Sequence, residues 1–219
     1  MKTEEKQIVG QYAGPLCTPS CPCERCKMII QLPETKFEII YADPPWWYAD
    51  RIDGANRKFG YGASGHYPLM KDEEILALPV ADIAADNAAL FLWATCPRLD
   101  LAIEVVKAWG FDYKTVGFAW MKYHENGNLF GGPGNYTMSN VELCLLGIRG
   151  SMKQIDKGVL QAILEPRREH SRKPDCTRER INRLFGDRSR IELFARGNTD
   201  GWEVWGNEAQ AEARQGQMF

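Results

Sequence analysis

The sequence predicts an α/β fold, a mainly parallel sheet flanked by helices, and three observations lead there. Short β-type runs alternate with segments of helical period along residues 36–205, the order that builds parallel sheets covered by helices. The first run, 36–42 (KFEIIYA), stops at Asp43-Pro44-Pro45-Trp46. Two prolines end a strand abruptly, so the tetrapeptide lies just past its C-terminal edge, where open α/β sheets bind ligands. The 219 residues, 44% hydrophobic, suit one medium domain with a substantial core.

Residues 1–28 read as an irregular arm rich in Cys, Pro and charge, and 29–219 as the folded domain. In the arm, Cys17, Cys21, Cys23 and Cys26 could hold a structural Zn2+ tetrahedrally through four thiolates. Their C-x3-C-x-C-x2-C spacing is not a standard pair of knuckles, and the Pro and Ser content suits a flexible leader, so both readings stay open. After the tetrapeptide, 47–68 has no clear period and reads as a long loop, functional or mobile. Residues 69–78 (LMKDEEILAL) read as a short acidic helix, 88–93 as a buried strand, and 98–109 as a helix ended by Gly110. Strands are expected at 115–121, 141–148 and 159–164, with a Gly-rich loop over 126–135. An amphipathic helix follows over 177–185, with Ile181, Leu184 and Phe185 on one face, and short strands at 190–195 and 202–205. Cys144, inside an apolar run, is expected as a small core residue. The alternation argues for one Rossmann-like domain; the G-x-G-x-x-G run at 60–65 lies in the aperiodic stretch and not between a strand and a helix, so it does not read as the fingerprint of dinucleotide enzymes.

No stretch approaches the roughly 18 apolar residues of a membrane span, and residues 1–6 lack the apolar core of a secretory signal. A cytoplasmic, non-membrane protein is expected. The formal net charge of −2 makes no global case for nucleic-acid binding, yet Arg167, Arg168, Arg172, Lys173, Arg178, Arg180 and Arg183 crowd one segment.

The tetrapeptide has its own chemical logic. The N6 amino group of adenine is a poor nucleophile because its lone pair is delocalised into the ring. The Asp43 carboxylate and the carbonyl of the following peptide could accept hydrogen bonds from both its N–H groups, which frees the lone pair. The prolines add no competing donors, and Trp46 offers a face for a base to stack on. Taken alone, the same four residues also make an ordinary turn.

Several segments in matching order add to this. They are 41–46, Phe91-Leu92-Trp93, Trp120-Met121-Lys122, 140–147, His170-Ser171-Arg172-Lys173-Pro174-Asp175, 190–196 and 202–207. With them the chain resembles the DPPW-type N6-adenine methyltransferases, the family of the catalytic subunit of the eukaryotic messenger-RNA adenosine methyltransferase and its bacterial and phage relatives. The resemblance covers about 36–208 and has the permuted β-class order, with the catalytic segment before the cofactor segments. It implies a Rossmann-like methyltransferase fold and S-adenosylmethionine as cofactor.

The resemblance also implies roles. Asp43, Pro44, Pro45 and Trp46 are catalytic, and Asp43 also faces the methionine amino group. Lys173 pairs with the cofactor carboxylate. Glu192, Arg196, Asn198 and Thr199 border the ribose, and Asn207 sits near the cofactor adenine. Glu142 helps hold the target base in a pocket lined by Tyr67, Trp120 and Lys122. Where the eukaryotic subunit has a Pro-His-Asn run, this chain has Gly197-Asn198-Thr199, and Glu208 replaces a glutamine.

The chain resembles the stand-alone bacterial and phage members, whose usual target is adenine in DNA; RNA stays open. A duplex target must be flipped out, at about a few kcal/mol. The loops 47–68 and 126–135 and the segment 167–183 are the expected grip on the backbone, with a homodimer or a partner subunit open as additional support. Two rival readings are a cytosine-N4 enzyme, in which serine is usual at the aspartate position, and a catalytically silent nucleic-acid-binding subunit.

Overall fold

The computed structural model describes residues 32–46, 70–132, 134, 136–168 and 172–206. The arm 1–28 with its four cysteines, the loop 47–68 with Tyr67, and Asn207 lie outside the described residues.

Seven strands form one sheet in the order β5-β3-β4-β2-β1-β6-β7. They are β1 (Phe37–Ala42), β2 (Ala84–Thr95), β3 (Asp112–Tyr123), β4 (Val141–Arg149), β5 (Ala162–Pro166), β6 (Arg190–Leu193) and β7 (Glu203–Trp205). β1 pairs in parallel with β2 and β6, β6 with β7, and β3 with β5. Only β4 runs against its neighbours, antiparallel to both β2 and β3. Among the described residues joining β3 to β4 there is no helix, and a connection without a crossover helix returns the chain antiparallel.

The pleat sorts the central strands onto two cores. Ile40, Ala42, Leu90 and Leu92 face one cluster, shared with Ala102, Val105 and Val106 of helix α3 (Leu99–Ala108). Ile39, Tyr41, Phe91 and Trp93 face the other, shared with Ile181 and Phe185 of helix α4 (Cys176–Phe185). The result is helix, sheet, helix. Gly147 lets α3 approach β4, since a Cβ there would stand 2.8 Å from Val106 Cγ1. Cys144 is fully buried, as expected.

Several boundaries differ from the expectations, and β2 and β3 run longer at both ends than 88–93 and 115–121. The helix of 69–78 shortens to α1 (Asp72–Leu76), and a second short helix, α2 (Val80–Ile83), follows Pro79; proline ends one helix and opens the next. β5 starts only at Ala162, where pairing with Ala119 of β3 begins. β6 stops at Leu193 because Phe194 turns to φ 63°, with its ring edge-on to Trp205 at 5.5 Å. Among the described residues no helix is long and apolar enough to cross a membrane.

Candidate active site

The topology brings four charged side chains to one edge of the sheet. Asp43 follows the C-terminal end of β1. Because β4 is reversed, its second residue, Glu142, comes to the edge where β2 and β3 end, opposite Thr95 and Trp120. Lys122 stands near the end of β3. Lys173 precedes α4, whose first turn is set by Thr177 N–H donating to Pro174 O at 3.1 Å. Lys173 Nζ then reaches Asp43 Oδ2 at 2.7 Å and Glu142 Oε2 at 3.2 Å, while Lys122 bonds Glu142 Oε1. The order Asp43–Lys173–Glu142–Lys122 alternates in sign, and its two central side chains are only 10% exposed.

Such burial is tolerable because each charge has an opposite neighbour. Burial alone would raise the Glu142 carboxyl, but Lys173 and Lys122 together hold it below its ordinary range. Burial would likewise lower Lys173, but Asp43 and Glu142 drive its pKa well upward. For Glu142, with a depressed folded value, the stabilisation is present above the ordinary value of 4.5 and lost as pH falls through the folded one. For Lys173, with a raised value, it is present below 10.5 and lost as pH climbs through the folded one. Neither group therefore titrates between about pH 5 and 10, and pH profiles of activity are expected to show no break from them there. A break near neutrality that vanishes in Glu142→Gln would contradict this charge assignment.

The tetrapeptide is held from several sides. Trp46 N–H donates to Pro44 O at 2.9 Å, and Met70 N–H to Pro45 O at 3.0 Å. Each proline carbonyl thus already accepts one bond, and a second lone pair remains on each. Trp46 is 5% exposed, and its Nε1–H donates to Trp93 O at 3.0 Å. Trp93 Nε1–H in turn donates to Tyr41 Oη at 2.7 Å. In this geometry Trp46 braces the tetrapeptide more than it offers an open stacking face. Trp120 is also fully buried, with Nε1–H on Glu165 O at 2.9 Å; Lys122 Nζ lies 4.8 Å from its ring centroid. Neither Tyr41 nor Trp93 was singled out from the sequence, where an aromatic in a β-run is indistinguishable from ordinary core.

Glu192 lies on β6 beside Tyr41 of β1. An acid between Ile191 and Leu193 in a strand either faces solvent or needs a buried partner; Glu192 is buried, and its partner is Arg178 of α4, a pairing missed from sequence. Arg178 Nε meets Glu192 Oε2 at 2.7 Å and a second nitrogen meets Oε1 at 2.8 Å. Arg196 and Thr199 are half-buried and Asn198 exposed in the turn before β7, so these three share the β6 end of the edge with Glu192.

The arginine-rich segment is largely neutralised by its own acids, which alters its expected role as a continuous phosphate grip. Arg168, Arg172 and Arg178 converge on Asp175, and Arg183 pairs with Asp156 at 2.8 Å. Arg180 donates to the carbonyls of Leu160 and Ala162. The neighbouring thiols are not nucleophiles: burial, then Glu165, pushes Cys176 up to about 12, and burial holds Cys144 well above its ordinary value.

A carboxylate and an ammonium in contact at the C-terminal end of a central strand match both charges of an amino-acid zwitterion. Comparison with known proteins leads to the same class. The sequence matches the MT-A70 family over residues 37–208. It is 38% identical over 192 residues to the Type II methyltransferase M.MunI of Mycoplasma sp, covering 81% of this chain and 80% of that protein. It is 31% identical to the N(6)-adenosine-methyltransferase MT-A70-like protein of Arabidopsis thaliana over 180 residues, 78% of this chain and 24% of that one. With the N(6)-adenosine-methyltransferase catalytic subunit METTL3 of Homo sapiens it shares 28% identity over 178 residues, 79% of this chain and 28% of that one. The matched segment contains the whole described sheet, and the chain belongs to the MT-A70 family of methyltransferases.

Proposed function

We propose that this chain transfers a methyl group from S-adenosylmethionine to the N6 amino group of adenine in DNA. One observation carries the reading: Asp43 and Lys173 stand 2.7 Å apart at the C-terminal end of β1, one charge of each sign for the α-ammonium and α-carboxylate of the methionine moiety. When bound, the cofactor supplies a methyl group on a sulfonium, already activated for displacement. No metal or covalent intermediate enters the methyl-transfer step.

The protein's part is positioning and hydrogen bonding. Lys173 engages Asp43 through Oδ2, which leaves Oδ1 to accept a hydrogen bond from the amino group. The free lone pair of a proline carbonyl accepts the second N–H and draws the nitrogen toward tetrahedral geometry. As the new N–C bond forms, the nitrogen's surplus proton has Asp43 Oδ1 as its nearest acceptor. Glu142, kept ionised by two lysines, faces the same edge and holds the base. Glu192, with Arg196, Asn198 and Thr199, borders the ribose, and Asn207 the cofactor adenine.

DNA is favoured over RNA because the chain is 38% identical to the Type II methyltransferase M.MunI but 31% and 28% identical to the adenosine methyltransferases. With a net charge of −2, part of the grip on DNA falls to a second copy or a partner subunit. A cytoplasmic address and zinc held by Cys17, Cys21, Cys23 and Cys26 complete the reading; metal analysis of the purified chain decides the zinc.

The test is incubation with labelled cofactor and either duplex DNA or RNA, then digestion to nucleosides. Label in N6-methyladenine from DNA is the expected result. Label from RNA alone keeps the chemistry and overturns the substrate, and label in N4-methylcytosine overturns the acceptor. Absence of cofactor binding defeats the catalytic reading.

A further inference from the structure

We propose that the cleft at the C-terminal ends of β3 and β5 is a subsite for a nucleotide flanking the target base, with Arg167 on its phosphate. The inference rests on the reading that the substrate is a nucleic-acid strand. The cleft has a volume of about 650 Å³ and is lined by His124, Glu125, Phe130, Arg167 and Arg168 among others, a size in the range of small-ligand sites.

Arg167 differs from the cations around it. Arg168, Arg172, Arg178 and Arg183 are each paired with a carboxylate, whereas Arg167 meets none among the described residues. Its guanidinium instead lies 4.9 Å from the centroid of the Phe130 ring. Its backbone N–H donates to Tyr123 O at 3.0 Å, which ties its base to the end of β3. The Phe130 ring is itself supported edge-on by His124 at 5.4 Å. A guanidinium laid on a ring keeps its N–H donors at the ring's rim and loses little rotamer freedom when a phosphate arrives. Glu125 repels a phosphate on its side of the cleft and directs it toward Arg167 and Arg168.

The location fits a flanking nucleotide rather than the target itself. β1 and β3 are separated by β2 and β4 in the sheet, so their ends stand about 14 Å apart, three strand spacings. Lys122, Glu142 and Lys173 link the lip of the cleft to Asp43 by direct contacts. A base drawn into the Asp43 site carries its neighbours' phosphates along this same edge.

The experiment measures fluorescence anisotropy of a short labelled DNA duplex of mixed sequence, and of RNA of the same sequence, over a salt titration. It compares the unaltered chain with Arg167→Ala, Phe130→Ala and Phe130→Tyr. Lys107→Ala is the control, since Lys107 is exposed near the C-terminus of α3, a helix that runs back to the opposite edge. Arg167→Ala is expected to weaken DNA binding about tenfold and to lower the salt slope by about 0.9. Phe130→Ala moves affinity the same way, Phe130→Tyr restores it, and Lys107→Ala changes neither. Calorimetry with S-adenosylmethionine should give the same affinity for Arg167→Ala as for the unaltered chain, so the loss is not one of folding. Unchanged affinity and slope in Arg167→Ala, while the unaltered chain binds DNA, overturns the subsite and leaves the proposed reaction standing. Binding to neither nucleic acid, with cofactor binding intact, overturns both. A loss seen with RNA alone keeps the subsite and removes the choice of DNA.

Discussion

Asp43→Ala is expected to lower methyl transfer by about a hundredfold to a thousandfold, the usual consequence of deleting one preorganised polar group at a reacting centre. In the proposed reaction Asp43 is the acceptor that activates the amino nitrogen, and it stands in contact with Lys173. The fold should survive, because Asp43 is the more exposed member of the pair, at 20%, and Lys173 keeps Glu142 at 3.2 Å. Cofactor affinity should fall as well, since the acceptor for the α-ammonium is gone. Asp43→Asn separates the two roles: it keeps the shape and a neutral acceptor but cannot take the surplus proton. Rates from single-turnover assays, with cofactor affinity from calorimetry, give the comparison. Full activity in Asp43→Ala would refute the proposed chemistry; loss of cofactor binding with an unchanged single-turnover rate at saturation would confine Asp43 to binding.

The strand that carries Asp43 was legible because punctuation is local. Two prolines stop a β-run wherever they fall, and the alternation of strand and helix is visible without tertiary information. The direction of β4 was not legible, because a hydrophobic period carries no sense of direction, yet that reversal is what brings Glu142 to the edge with Asp43. The same limit applies to pairing. Glu192, once buried, needed a partner, but nothing local to it identified Arg178, 14 residues earlier on another element. The density of arginines at 167–183 was plain and their pairing with Asp175 is local, three to seven residues apart, whereas the Arg183–Asp156 pair arises only when α4 packs beside the loop that precedes β5. Trp46 and Trp120 show the same problem for aromatics: size and type suit a base pocket and a core equally well, and here both rings are buried.

Glu192→Ala should produce the largest loss of stability among the residues at this edge. Arg178 and Glu192 are 16% and 9% exposed, and the pair joins α4 to β6 across the second core. Removing one partner leaves the other charge buried, which costs about 3–5 kcal/mol. In a domain of this size that corresponds to a fall in unfolding midpoint of roughly 10 °C. Arg178 has further supports, Asp175 at 3.0 Å and the Tyr41 ring 5.6 Å away, so the loss belongs near the lower end of the range. The double replacement Arg178→Met with Glu192→Leu removes both charges and should recover most of the stability, as apolar substitutes for buried pairs often do. Cofactor binding tells whether the glutamate does more than brace the helix. If the double variant is stable but binds S-adenosylmethionine weakly, Glu192 contacts the ribose as well as Arg178. If Glu192→Ala leaves the unfolding midpoint unchanged and only cofactor affinity falls, the ion pair is not a brace, and α4 is held to the sheet by its other contacts, Ile181 and Phe185 in the core and Asn182 with Arg190.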